Sequence, residues 1–248
     1  ILANGILILG LLGVFHPSAI LLWLSAAGLF ASFQWREIVG DFSKAINSFD
    51  HARFVGFGIF EYILLGVIGI LAVFLPVLSL APVHDYDALM YHLEIPRQFL
   101  AQGRVYFDPE IWRSTYPMLT GMLYSIGIVF RLEPFAQLIS LTFFVVFLLS
   151  VYAFGRRLFN QKTALLAVGI LLGNPAFTVY AVAPSVEFSW AGYEFWGMYA
   201  FSLWFFEEKD TNRSQWLVMA GILSGLAASV KYLSFPTIAI IGLLILWK

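Results

Sequence analysis

The sequence has 248 residues, of which 60% are hydrophobic and only 12% charged, and its mean hydropathy is +0.84; soluble chains average about half apolar and a quarter charged, so a water-soluble fold is excluded. A net charge of −1, with the Lys and Arg scattered and not gathered into a stripe, excludes nucleic acid as a partner. The absence of cysteine excludes disulfides, thiolate metal sites and a cysteine nucleophile.

Apolar runs recur along the whole length, unlike a signal peptide or a single anchor. The bilayer core offers no water to backbone groups, so spanning segments are helices or closed barrels, and runs without period-two alternation select helices. The fold class is therefore all-α, a polytopic transmembrane helical bundle forming one domain over 1–248, in contact with membrane lipids.

In chain order, the runs predict about eight spans, at 1–15, 17–33, 54–80, 134–154, 163–182, 191–206, 215–230 and 233–247. His16 precedes Pro17 in a tight turn and reads as structural, and His51 lies in the loop 34–53. The longest polar stretch, 81–133, is punctuated by Pro82, Gly103, Pro109 and Pro117. Within it, 87–101 reads as an amphipathic helix, with Leu89, Leu93, Phe99 and Leu100 toward the membrane and Glu94, Arg97 and Gln98 toward water. The run 117–130, about 14 residues, suits a juxtamembrane or re-entrant helix better than a span.

The positive-inside rule orients the bundle. With 34–53 in the cytoplasm and 117–130 in the interface, nine of the fourteen Lys and Arg fall inside, among them Arg156, Arg157, Lys162 and Lys209. Residues 81–133 and the short turn 183–190 then lie on the non-cytoplasmic side. Gly66 with Gly69, and Gly221 with Gly225, have the spacing of close helix packing.

Chemistry concentrates directly after the third span, where His84, Asp85, Asp87 and His92 place two carboxylates and two imidazoles within nine residues. Asp87 and Tyr91 are i,i+4 neighbours on a helix. A partly desolvated carboxylate beside His at a membrane surface suits base catalysis or cation binding, while the same residues also make an ordinary solvated loop. No cofactor is demanded; His84, Asp85 and Asp87 offer hard ligands for a divalent metal, Mg²⁺ or Mn²⁺. Glu187 lies in the second outer turn, and Glu194 follows it by two helical turns. Glu194 and Lys231, ionisable groups close to apolar runs, suggest a cavity or a partner, or else a structural ion pair. The sequence has no phosphate-cradling Gly loop, no HExxH and no GxSxG.

Five segments carry a family resemblance. Asp87 to Pro96 reads D-x-x-x-Y-H-L-x-x-P; Ser114-Thr115-Tyr116-Pro117-Met118-Leu119 leads into the juxtamembrane run; Gly155-Arg156-Arg157-Leu158-Phe159-Asn160 forms a cytoplasmic turn; Val186-Glu187-Phe188 is followed by Tyr199-Ala200-Phe201; and Gly225-Leu226-Ala227 runs on to Lys231-Tyr232. In that order they resemble the GT-C-type membrane glycosyltransferases, in particular bacterial members of the dolichyl-phosphate-mannose protein mannosyltransferase and ArnT-like superfamily. Glu187 stands where Asp is common in the family. The resemblance implies transfer of a sugar from a polyprenyl-phosphate donor to an acceptor at the outer face of the bacterial cytoplasmic membrane, with inversion.

On that resemblance Asp87 is the base, with Asp85 as its alternate, and Glu187 orients the acceptor or assists a metal. Lys231, Arg97 and Arg113 are candidates for the lipid phosphate, and Tyr91 and His92 for contact with the substrate. Family members are usually longer, so the chain is expected to be part of a longer protein. The competing expectation is a non-catalytic subunit of a membrane protein complex.

Overall fold

The computed structural model describes residues 1–37, 39–40, 43, 57–132, 134–206 and 213–248. His51, Lys209 and most of the loop 34–53 lie outside the described residues. Among those described, helices account for all regular structure.

The chain opens with α1 (Leu2–Leu11) and α2 (Pro17–Phe33), joined at a corner where His16 is extended and Pro17 starts α2, the position where its missing N–H costs nothing. That corner is stitched to the polar stretch: Phe15 N–H donates to Gly103 O at 2.8 Å, and Val105 N–H to Gly10 O at 2.9 Å. The His16 ring rests where a side chain at residue 103 would sit, so only glycine fits there.

The third helix, α3 (Ile59–Leu78), leads to a π-turn at Ala88–His92, then α4 (Glu94–Gln102), a 3₁₀ turn at Trp112–Thr115 and α5 (Leu119–Val129). The long α6 (Pro134–Leu158) forms a hairpin with α7 (Gln161–Leu172). The Asn160 side chain caps α7 by accepting from Thr163 N–H at 2.9 Å, and Gly155 lets the two helices close, since a Cβ there would lie 3.0 Å from Ala164 Cα. The remaining elements are α8 (Pro175–Val182), α9 (Glu187–Phe206), α10 (Arg213–Ala228), a 3₁₀ turn at Tyr232–Ser234 and α11 (Phe235–Trp247). The most extensive helix contact is α9 with α10.

Among the described residues, two helices, α3 and α6, are long and apolar enough to cross a membrane; α1, α2, α5 and the segment from Tyr232 to Trp247 are shorter apolar helices. The run 163–182, expected as one span, is α7 and α8 bent by 73°. The break has a local cause: Asn174 accepts from Ala176 N–H at 3.0 Å and Pro175 cannot continue the ladder, so a new helix begins.

Two further expectations are corrected. Leu93 and Phe99 do not face the membrane: Phe99 is buried with Ile95, Met122 and Phe15, and Leu93 with Tyr124 and Ala136, leaving Leu89 exposed. The π-turn is responsible: Leu93 N–H reaches Ala88 O, five residues back, and the extra residue rotates everything after it by about 100° relative to an α-helix. Nor do Gly66, Gly69, Gly221 and Gly225 mediate packing among the described residues, because a Cβ at any of them would meet nothing within 4 Å.

Only 6% of the apolar window of α3 is buried within the protein, and α3, α6 and α7 enclose an apolar groove of about 860 Å³ lined by Leu71, Leu75, Phe144, Leu148 and Val168 among others. Such a surface suits acyl chains and not water.

Candidate functional site

The site is assembled from the π-turn, the 3₁₀ turn at 112–115, the start of α9 and the segment after α10. Asp85 accepts from Ala88 N–H at 2.8 Å, which fixes the entry into the π-turn. Asp87, one residue ahead of the turn, is exposed, and the Tyr91 hydroxyl lies within hydrogen-bonding reach of it, as i,i+4 neighbours do. The π-turn keeps Asp87 and Tyr91 on the open side while sending His92 inward, where it is 7% exposed and its ring lies 4.1 Å from that of Tyr91.

Arg113 comes from the 3₁₀ turn. Its guanidinium carbon stands 4.8 Å from the Tyr91 ring centroid and 5.0 Å from that of Trp112. Tyr116 meets both rings edge-on, at 6.2 Å from Tyr91 and 5.3 Å from Trp112. The cation is thus held between aromatic faces, with no salt-bridge partner among the described residues, a common way to keep Arg oriented and available.

Glu187 begins α9, and a buried polar knot fixes the turn before it. Tyr124 donates to Ser185 O at 2.6 Å and lies 2.7 Å from Ser140 Oγ, which in turn accepts from Ser185 N–H at 3.2 Å; one step on, Thr120 and Ser189 hydroxyls meet at 2.7 Å. Phe188 packs inward against Phe144 at 4.4 Å, leaving Glu187 on the other side. Lys231 follows α10 in extended conformation, anchored by neighbours: Leu119 N–H donates to Ser229 O at 3.1 Å, and the Tyr232 hydroxyl to Thr115 O at 2.8 Å. Lys231 Nζ and Glu187 Oε1 form an ion pair at 2.6 Å, and Nζ lies 5.4 Å from the Trp190 ring centroid.

The same face of α9 continues the pairing. Trp190 Nε1 donates to Ser234 Oγ at 2.7 Å, Ser234 donates to Glu194 at 3.3 Å, and Thr237 also bonds Glu194. Residues 187, 190 and 194 therefore face the segment 231–237 as a ladder, which makes Glu194 a partner of the helix start at 235.

Electrostatic coupling ties these groups into one cluster. Burial raises the Tyr91 hydroxyl pKa first, followed by the charge and hydrogen bond of Asp87 and the charge of Glu187, with Arg113 opposing. Burial pushes His92 down to about 4 against the pull of Glu187 and Asp87, so it is neutral at physiological pH. Burial is also the largest influence on Glu187, a residue that stands before the 191–206 run, and raises its pKa; the hydrogen bond and charge of Lys231, with smaller help from the Glu187 backbone N–H and His92, outweigh it and hold the carboxylate below its usual range.

Of the residues singled out in the sequence, Asp87, Tyr91, His92, Arg113, Glu187 and Lys231 come together. Arg97 does not: it pairs with Glu94 at 3.0 Å and lines a different cavity. The proposed metal set also fails to converge, since no group of three or more His, Asp or Glu able to hold a metal occurs among the described residues, Asp85 is engaged in capping, and His84 Nδ1 lies 3.4 Å from Pro82 O. Trp112, Tyr116, Trp190 and Ser234 were missed, although the i,i+3,i+7 spacing of Glu187, Trp190 and Glu194 was there to be read.

No curated protein and no solved structure matches the chain. The family model for dolichyl-phosphate-mannose-protein mannosyltransferase matches residues 117–248, more than half of the sequence, taking in Glu187 and Lys231 and starting after Asp87 and Arg113. That family consists of membrane glycosyltransferases of the GT-C type. With the match running from the start of the juxtamembrane helix through the ion pair of Glu187 and Lys231, the chain belongs to the dolichyl-phosphate-mannose-protein mannosyltransferase family.

Proposed function

We propose that the Asp87–Lys231 cluster transfers a sugar from a polyprenyl-phosphate donor to an acceptor hydroxyl, with inversion, at the non-cytoplasmic face of the membrane. The observation that carries this reading is the convergence, from separate parts of the chain, of an exposed carboxylate and two cations: Asp87, Arg113 and Lys231. In the reaction, Asp87 takes the proton of the acceptor hydroxyl as its oxygen attacks the anomeric carbon. The bond from that carbon to the phosphate oxygen breaks on the opposite face, and the electron pair leaves with the lipid phosphate. Lys231 and Arg113 meet the charge that develops there, and a site that keeps cations preoriented stabilises the departing phosphate more than water does.

Tyr91 holds the Asp87 carboxylate by its hydroxyl, and Glu187 holds Lys231 in place. Neutral His92 closes the cluster from below without adding a competing cation. The polyprenyl chain has a seat in the groove between α3, α6 and α7, since Phe144 in that groove packs on Phe188, the residue next to Glu187. Around this site we place about eight spans, counting the bent α7–α8 pair as one broken span and keeping α4 and α5 in the interface; the supporting feature is the cytoplasmic excess of Lys and Arg that results.

The test is release of free polyprenyl phosphate from polyprenyl-phosphate mannose by membranes containing the full protein. Asp87→Asn is expected to lower the rate roughly 100- to 10,000-fold while leaving the folded yield unchanged. An unaltered rate would remove Asp87 from the chemistry.

A further inference from the structure

We infer that a second site, separate from the Asp87–Lys231 cluster, binds the phosphate of an anionic membrane amphiphile in the cavity between α4, α5 and the start of α6. The cavity holds about 500 Å³ and is lined by two guanidiniums, Arg97 and Arg131, by the Tyr124 ring, and by the apolar side chains of Leu93, Ile128 and Leu132. Arg97 gives one nitrogen to Glu94 at 3.0 Å, and a guanidinium with five N–H donors has others to offer. Among the described residues, no acidic side chain pairs with Arg131.

The backbone supplies an independent observation. α5 ends in a Schellman turn, with Leu132 N–H donating to Gly127 O at 2.8 Å and Arg131 N–H to Ile128 O at 3.1 Å. This geometry puts Arg131 in the left-handed region, at φ +55°, where it is the one non-glycine residue among those described. The ends of α1 and α4 solve the same problem with glycine, Gly13 at +76° and Gly103 at +70°. Glycine fits this conformation with least strain, so a side chain kept there has to contribute something that glycine lacks. At residue 131 the contribution available is a cation on the wall of the cavity that Arg97 also lines.

Position decides the kind of anion. Pro134 and Ala136, which also line the cavity, open the 25-residue apolar helix α6, so the site lies at the end of a membrane-crossing helix, at the depth of lipid phosphates. Guanidiniums suit the phosphodiester, and the Leu and Ile wall suits the glycerol and upper acyl carbons. This holds whichever face of the membrane carries residues 81–133, and it does not depend on sugar transfer.

The probes are phosphatidylglycerol, phosphatidylcholine and inorganic phosphate, presented to the full protein in a neutral detergent and read by native mass spectrometry. The wild type is expected to retain phosphatidylglycerol at least five-fold over phosphatidylcholine. The double variant Arg97→Gln, Arg131→Gly should lose that preference, and Lys231→Gln should keep it. Arg131→Gly relieves the left-handed strain, so its thermal midpoint should equal or exceed that of the wild type, which separates lost binding from lost folding. Displacement of phosphatidylglycerol by millimolar phosphate would support the phosphate chemistry and assign its source to a free anion. Equal retention of the two lipids by the wild type, or a preference that persists in the double variant, overturns the inference.

Discussion

The region that carries the cluster and the region formed by α3, α6 and α7 are held together by different forces. In the first, α1, α4, α5 and the turns at 183–187 and 229–234 are stitched by polar bonds between distant residues: Tyr124 to Ser185, Leu119 to Ser229, Tyr232 to Thr115, Lys231 to Glu187. In the second, the Lys162–Glu61 ion pair at 3.3 Å joins the ends of α7 and α3, and along the helices the contacts are shape and size, as where Gly155 admits Ala164 and where aromatic rings interlock around Phe188. Lipid tails are as apolar as leucine, so burial of apolar surface adds little to association between spans, and close packing has to supply it. Near the interface, water competes for every polar group, and a turn is fixed only if its hydrogen bonds are better satisfied inside than out. A catalytic cluster that needs fixed carboxylates and cations is therefore built where polar anchoring is dense, with the membrane helices as its support.

The contrast breaks first at the ion pair. Lys231→Gln leaves Glu187, a half-buried carboxylate, without its cation, and the expected results are a loss of transfer of roughly 100-fold or more and a loss of about 1–2 kcal/mol of stability, reduced from a fully buried pair by partial exposure. Lys231→Arg restores charge with a different reach, and partial recovery would separate charge from shape. Transfer by Lys231→Gln equal to that of the wild type would show that the cation has no part in the step.

pH provides the next test. His92 in the folded protein takes a proton only near pH 4, whereas an unfolded His does so near 6.5. The folded value is the lower, so the stability this residue contributes is complete above about 6.5 and is lost as pH falls toward 4. Over that interval the unfolded chain binds a proton that the folded one refuses, and the loss amounts to about 3 kcal/mol. Melting midpoints measured in detergent between pH 7 and 4 should drop steeply for the wild type and less for His92→Phe. Parallel curves for the two proteins would place the acid sensitivity elsewhere.

Asp87, Tyr91, Glu187 and Lys231 were legible in the sequence because each is an ionisable or polar group next to an apolar run, where such groups are expensive unless used. The helical class was legible for the same reason, since composition alone rules out water as the solvent. The inward turn of Leu93 and Phe99 was not legible: a π-turn leaves no mark on the hydrophobic period before it, and the rotation shows only once Leu93 reaches back to Ala88. The separation of Arg97 from Arg113 was hidden likewise, because both lie in one polar stretch and only the 3₁₀ turn carries Arg113 over the Tyr91 ring. Asn174-Pro175 was a readable break, and the apolar run around it masked the signal.

A smaller effect is expected from the knot that anchors Glu187. Tyr124→Phe removes a hydroxyl that serves both Ser140 and Ser185, leaving the Ser185 carbonyl with one donor fewer, at a cost of about 1–2 kcal/mol. If the knot positions Glu187, the KM for donor should change together with stability. Loss of stability alone would confine Tyr124 to the fold.

The smallest effects lie in the glycines and distinguish a spacing from a contact. Gly221 and Gly225 have the small-residue spacing of a packed helix pair, yet a Cβ at either meets nothing within 4 Å, so Gly221→Ala and Gly225→Ala should leave the fold unchanged or stabilise α10 by about 0.5–1 kcal/mol each through lower chain entropy. Gly155→Ala should do the reverse, because its new methyl would lie 3.0 Å from the Ala164 backbone and the α6–α7 hairpin would have to open to accept it. Thermal midpoints of the three variants in the same detergent are sufficient. A fall at Gly221 as large as that at Gly155 would mean that the exposed glycine face of α10 is covered by a partner in the membrane, and the division between packed and lipid-facing surfaces drawn above would have to be moved.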